Sequence, residues 1–124
     1  MGSRSFMDLK VWQLAHRVHL EIYRGTERFP ARDFYGLASQ MRRAAWSIPA
    51  NIVEGFGRRA TRDKAHFYIM AAGSTEELKY GLLSARDLGK LPSIDALWRD
   101  CESIAKMLRS LIDIVLDEGS KAAP

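Results

Sequence analysis

Six cations crowd one stretch of the chain. Between Arg42 and Lys64 stand Arg42, Arg43, Arg58, Arg59, Arg62 and Lys64, opposed only by Glu54 and Asp63. That segment carries the whole formal net charge of +4, and elsewhere positive and negative side chains balance. A local excess of cationic side chains attracts an anionic partner, either nucleic acid or an acidic protein face. The same residues also suit a solvated surface closed by internal ion pairs. Arg42 and Arg43 are adjacent, so on a helix they point about 100° apart and form no common fork. Arg58, Arg59, Arg62 and Lys64 precede or open a helix, whose free amide groups favour phosphate. Trp46, Phe56, Phe67 and Tyr68 lie nearby in sequence and offer rings on which unpaired bases stack, although Phe67 belongs to a core stripe.

Other residues with chemical potential are poorly placed for it. His16 and His19 stand three apart on one helix, and a metal site needs further ligands converging from elsewhere. A di-iron carboxylate bundle needs Glu-x-x-His motifs from two helices; the nearest match is the single Asp63-x-x-His66. Neither a metal nor a cofactor is expected. Cys101 falls in the middle of an apolar seam, where a thiol acts as a small hydrophobe and not as a nucleophile. Ser39, Ser47 and Ser74 lack a nucleophile-elbow motif. Gly55 and Gly57 follow a helix and not a strand, with no Gly-Lys-Ser/Thr after them, so they are no phosphate loop. No catalytic constellation emerges, and the expectation is a protein that is not an enzyme.

Ser47, Asn51 and Glu54 share one side of a helix at steps of four and three. Asn51 would satisfy a carbonyl freed by Pro49, and Glu54 would pair with Arg58 or an arginine of another helix. The structural reading is a polar network that fixes a kink and the exit turn. The functional reading faces an anion or a subunit.

Helices must position these groups, because period-2 alternation is absent and apolar residues recur at steps of three and four. The first block, about 8–27, carries Val11, Ala15, Val18 and Ile22 on one stripe, widened by Trp12 and Leu14. Asp8 is its expected cap or first-turn acid, and Pro30 closes it. The second, about 34–54, carries Leu37, Met41, Ala44, Ile48 and Ile52. Pro49 lies inside it, removing a backbone donor and clashing with the carbonyl of Ala45. The stripe keeps phase across the proline, which predicts a kink and not a break. Gly55 is the expected left-handed exit residue. The third, about 61–88, is capped by Thr61 and carries Phe67, Ala71, Ser74, Leu78, Leu82 and Ala85. Gly73 and Ser74 leave a shallow spot for another helix, Gly81 implies close packing, and Gly89 with Leu91-Pro92 ends the helix. The fourth, about 93–117, has the cleanest seam: Ile94, Leu97, Cys101, Ile104, Leu108, Leu111 and Val115. Trp98, Ala105 and Ile112 form a second line, which either broadens the core or faces another subunit. The tail GSKAAP is expected to fray.

These elements predict an all-α, up-down-up-down antiparallel four-helix bundle spanning residues 1–124 as one domain. At 47% hydrophobic and 27% charged residues the composition is globular. No apolar run is long enough for a bilayer. MGSRSFMDLK lacks the apolar core of a signal peptide. The single cysteine excludes an intrachain disulfide framework. A cytoplasmic location and no membrane association are the expectations.

One ordered set of residues goes further. Phe6, Asp8-Leu9, Val11-Trp12, Ala15-His16, Tyr23 and Phe29-Pro30 lead into Tyr35-Gly36-Leu37, Gln40 and Arg42-Arg43-Ala44. Ser47-Ile48-Pro49, Asn51-Ile52, Glu54-Gly55 and Gly57-Arg58 follow, then Phe67, Gly73-Ser74, Glu77-Leu78 and Leu88-Gly89. With these residues the chain resembles, over nearly its whole length, the bacterial four-helix-bundle proteins first noticed as open reading frames in intervening sequences of 23S ribosomal RNA genes. Val53, Ala72 and Lys79 depart mildly from the pattern and leave the fold expectation intact. The resemblance implies a four-helix bundle able to assemble as a ring-like homopentamer. Relatives include the accessory protein of diversity-generating retroelements, a basic pentamer that serves a reverse transcriptase and its RNA. The function of the wider family is unknown.

Charge and resemblance together predict a non-catalytic oligomer with a basic surface for RNA or other nucleic acid. Arg42, Arg43, Arg58, Arg59, Arg62 and Lys64 would touch phosphates. Trp46, Trp98, Ala105 and Ile112 are the expected subunit-interface residues. The alternative is a protein-interaction scaffold, without nucleic acid, whose arginines serve subunit interfaces.

Overall fold

The computed structural model describes residues 2–122, and within them the chain is all-helical with no strand. Four long helices, α1 (Lys10–Thr26), α3 (Ser39–Phe56), α4 (Thr61–Asp87) and α5 (Asp95–Ala122), build the fold. A short helical segment α2 (Ala31–Asp33) and a π-helical turn (Phe34–Ala38) lead directly into α3. Each long helix packs on the next one in the chain, and α1 also packs on α5.

The core follows the apolar stripes. Val11, Ala15, Val18 and Ile22 of α1 are buried against Met41, Ala44, Ile48 and Ile52 of α3, together with Leu78 and Leu82 of α4 and Cys101, Ile104 and Leu108 of α5. Burial of these side chains is the main stabilising contribution, about 1.5–3 kcal/mol for each large aliphatic one. Trp98 and Ile112 of the second line on α5 pack half-buried against the same core, as does Leu111 of the first. On α4 the face differs from the sequence reading at one point. Tyr68 is buried and the neighbouring Phe67 is only half-buried.

The termini of the helices also differ in instructive ways. The N-cap of α1 is Leu9. Asp8 instead closes a capping box with Ser5 around a short 3-10 turn, Phe6–Asp8. Ala60, not Thr61, is the N-cap of α4 and makes no side-chain cap. Thr61 serves packing instead. Its Oγ1 would lie 2.6 Å from a Cβ placed on Gly119, so α5 comes close to the start of α4 there. α5 accordingly continues through Gly119, Ser120 and Lys121, well past the expected end at 117. Ala123 and Pro124 lie outside the described residues. Gly89, at φ +69°, ends α4 in the left-handed conformation expected of it.

Gly55 does not. It lies inside α3, which runs through Pro49 to Phe56. Its lack of a side chain admits the Tyr68 ring, whose Cε1 would stand 2.6 Å from an added Cβ. Gly81 plays the close-packing part its position implied, with Met41 Cγ 2.7 Å from an added Cβ. Gly73, by contrast, has nothing within 4 Å and faces open space; only its neighbour Ser74 meets another helix.

Candidate nucleic-acid interface

The six cations of residues 42–64 do not form one patch. From Arg43 to the end of α3 is about 20 Å at 1.5 Å per residue, so Arg42 and Arg43 stand well apart from the α3–α4 turn.

Arg42 is held inside the protein's own architecture. Its Nε donates to Thr26 Oγ1 at 2.7 Å, and its Nη2 donates to the Tyr23 carbonyl at 3.0 Å. The guanidinium also lies over the rings of Tyr23 and Phe34, 3.9 and 4.8 Å from their centroids. Arg42 thus ties the end of α1 to α3 and to the turn before it. Thr26 is itself fixed by donating to the Ile22 carbonyl. Lys64 is similarly committed. Its Nζ donates to the carbonyls of Gly55 and Phe56 at 3.0 and 2.9 Å. It therefore covers the electron-rich end of α3 with a positive charge. Burial lowers its pKa, and Glu118 partly opposes that shift. Neither side chain is available to a phosphate without giving up these bonds.

Arg58 pairs with Glu54 at 3.3 Å on the surface and lies 4.7 Å from the Phe67 ring centroid. Both partners are exposed, so the pair holds little energy and exchanges readily with another anion. Arg43, Arg59 and Arg62 are exposed, and among the described residues they enter no ion pair. The accessible positive charge therefore divides in two: Arg58, Arg59 and Arg62 at the start of α4, and Arg43 alone on α3.

Ser47 and Asn51 do meet, but in a network other than the expected one. Asn51 Nδ2 donates to the Ser47 carbonyl and to Ser47 Oγ at 2.8 and 2.9 Å, and Ser47 Oγ bonds Ser74 Oγ at 2.7 Å. The carbonyl that Asn51 serves belongs to Ser47 and not to Ala45, four residues before the proline. Glu54 is not part of this network, because it points to solvent and to Arg58. The missing member was Ser74, which the sequence places only on the core stripe of α4.

Trp46 is 61% exposed, while Trp98 is half-buried beneath Lys79 Nζ, 4.5 Å from the ring centroid. Ala105 and Ile112 line a shallow groove with Ile69, Ala72 and Gly73 between α4 and α5. These four residues do not lie together. Trp46 belongs to a different surface, a hollow of about 560 Å³ lined by His19, Leu20, Tyr23, Arg42, Arg43 and Trp46. His19 packs edge-on against both Tyr23 and Trp46, with centroids 5.8 and 5.7 Å away. Burial, and then His16, lowers its pKa. Sequence reasoning passed over Tyr23 and His19 here; their spacing of four on α1 was the available signal.

Among the described residues no three His, Cys, Asp or Glu side chains converge as metal ligands, and no helix is long and apolar enough to cross a membrane. Cys101 is buried and its thiol is pushed up to about 12, principally by burial.

Residues 7–110 match the family model of the 23S rRNA-intervening sequence protein. No curated protein matches the chain.

Proposed function

The chain belongs to the 23S rRNA-intervening sequence protein family, and from that premise we propose that it is a non-catalytic, cytoplasmic oligomer that binds RNA through the α3–α4 turn. The observation that carries this reading is the exposure of Arg58, Arg59 and Arg62 within five residues at the start of a 27-residue helix. The helix N-terminus adds a weak positive field of its own, and its first amides donate to phosphate oxygens. Contacts of this kind hold the nucleic acid backbone and read little sequence. Arg43 is a separate exposed cation on α3; Arg42 and Lys64 support the scaffold. Assembly as a homopentamer, implied by the resemblance, would repeat the turn around a ring and multiply its avidity.

Three phosphate contacts give a salt slope of about −2 for a single strand and nearly −3 for a duplex. Affinity per subunit then falls roughly 20- to 40-fold between 50 and 200 mM salt. The test is light scattering with a structured RNA at both salt concentrations. The expected result is an oligomer that gains RNA mass at low salt and loses it at moderate salt. Reversing Arg58, Arg59 and Arg62 to glutamate together abolishes that gain while helicity is retained. Unchanged binding by the reversed variant removes the proposal.

A second reading, a protein-interaction scaffold, is supported by the apolar groove between α3 and α4. Leu37, Met41, Ala44 and Gly73 line it with the 73%-exposed Tyr80, and Glu76 and Glu77 also border it. Salt-sensitive oligomerisation with no RNA uptake supports it instead.

A further inference from the structure

We propose that the hollow between α1 and α3 is a stacking site for an unpaired nucleobase of a single strand, with Trp46 as its ring surface and Arg43 as its phosphate contact. This rests on the nucleic-acid reading above but assigns a different surface and a different chemistry.

Three features of the hollow point to this ligand. Its lining combines the aromatic rings of His19, Tyr23 and Trp46 with the guanidinium groups of Arg42 and Arg43, and contains no carboxylate. A planar π system next to an anion is what such a surface selects, because an exposed ring stacks and the unpaired Arg43 guanidinium takes phosphate. Trp46 is also accessible, at 61% exposed, whereas Tyr23 carries the Arg42 guanidinium over its ring. The exposed Trp46 ring leaves apolar surface in water, which a stacked base covers.

The geometry is set in advance. The Arg42 clamp on Thr26 and the Tyr23 carbonyl fixes the end of α1 against α3. His19 packs edge-on against both Tyr23 and Trp46. Arg43, one turn from Trp46 on the same helix, keeps its guanidinium exposed and, among the described residues, out of any ion pair. The volume of about 560 Å³ lies within the usual range for sites that take a small organic group. Arg43 and Glu54 differ by only about 20° around α3. The hollow and the Glu54–Arg58 pair therefore share one side of the helix, about 20 Å apart, and a strand leaving the hollow along α3 runs toward the arginine-rich turn.

The test is fluorescence anisotropy at low salt with a labelled 12-nucleotide oligo(A) and an abasic 12-mer of equal charge. Wild type is expected to bind oligo(A) about ten-fold or more tightly than the abasic strand. Trp46→Ala removes that preference and leaves abasic binding unchanged; Trp46→Tyr restores most of it. Arg43→Gln weakens both strands. Equal affinity of wild type for the two strands overturns the proposal, as does a preference that survives Trp46→Ala. A Trp46→Ala variant that loses oligomer mass and weakens both strands equally also overturns it, making Trp46 a subunit contact. AMP binding as tightly as the 12-mer assigns the hollow to free nucleotide and overturns the strand. If both strands bind equally and depend on Arg58, Arg59 and Arg62, the turn reading stands and this one falls. If oligo(A) preference depends on Trp46 but not on those arginines, the reverse holds. No binding of either strand removes both.

Discussion

Truncating Arg42 separates its two candidate roles. In the structure its guanidinium makes a 2.7 Å bond to Thr26 Oγ1 and a 3.0 Å bond to the Tyr23 carbonyl, and covers two aromatic rings. Hydrogen bonds from a charged group contribute about 1.5–3 kcal/mol in favourable cases, and solvent at this half-exposed site brings the two down to about 1–2 kcal/mol together. Each ring contact adds about 0.5 kcal/mol. Thr26 keeps its bond to Ile22 when Arg42 is gone, so no buried hydroxyl is left without a partner. Arg42→Ala is therefore expected to destabilise the fold by about 2–3 kcal/mol. For a domain of this size that is a loss of roughly 6–12 °C in Tm. Arg42→Lys recovers little, because a point charge cannot span both acceptors and stack at once. Circular dichroism melts measure the first effect, and the salt dependence of RNA binding measures the alternative. A phosphate contact would leave Tm in place and reduce the magnitude of the salt slope by about one. That combination would falsify the clamp.

Gly55→Ala puts a methyl group 2.6 Å from the Tyr68 ring and 3.2 Å from the Lys64 carbonyl. Overpacking of about 1–3 kcal/mol outweighs the helix-propensity gain of about 1 kcal/mol, so urea midpoints should fall, and adding Tyr68→Leu should recover part of the loss; a stabilised single variant refutes the close approach. His19 has its pKa lowered from 6.5 in the fold, first by burial and then by His16, so the unfolded chain takes the proton first. Stability is then full above about pH 6.5 and declines as pH falls below it, and His19→Gln should flatten the decline in midpoints measured between pH 7.5 and 5.5. Cys101, with its thiol pushed up to about 12, should resist a thiol reagent at pH 8 until denaturant is added; rapid labelling of the folded protein contradicts its burial.

The apolar stripes, and with them the helical class, were legible in the sequence because side-chain burial on a helix obeys a local period of 3.6 residues. Val11 to Ile22, Met41 to Ile52 and Ile94 to Val115 needed no knowledge of their neighbours. Gly89 was legible for the same reason, since only glycine readily takes the left-handed turn that ends α4. The basic bias of residues 42–64 was equally plain, as was its resemblance to a known family.

What each charge does was decided by the tertiary structure. Arg42 finds its partners 16 and 19 residues away on α1, and Lys64 finds its own on the last turn of α3; no spacing rule on a single helix reaches that far. Phe67 and Tyr68 are adjacent and both aromatic, and the choice of which enters the core followed from the space Gly55 leaves on the opposite helix. Ser74 joined Ser47 and Asn51 only because α3 and α4 meet at that level. The hollow beside Trp46 likewise exists only where α1 is brought against α3. Periodicity determines which face of a helix turns inward. The partner a polar side chain meets depends on how the helices are set against one another, which is a property of the whole chain.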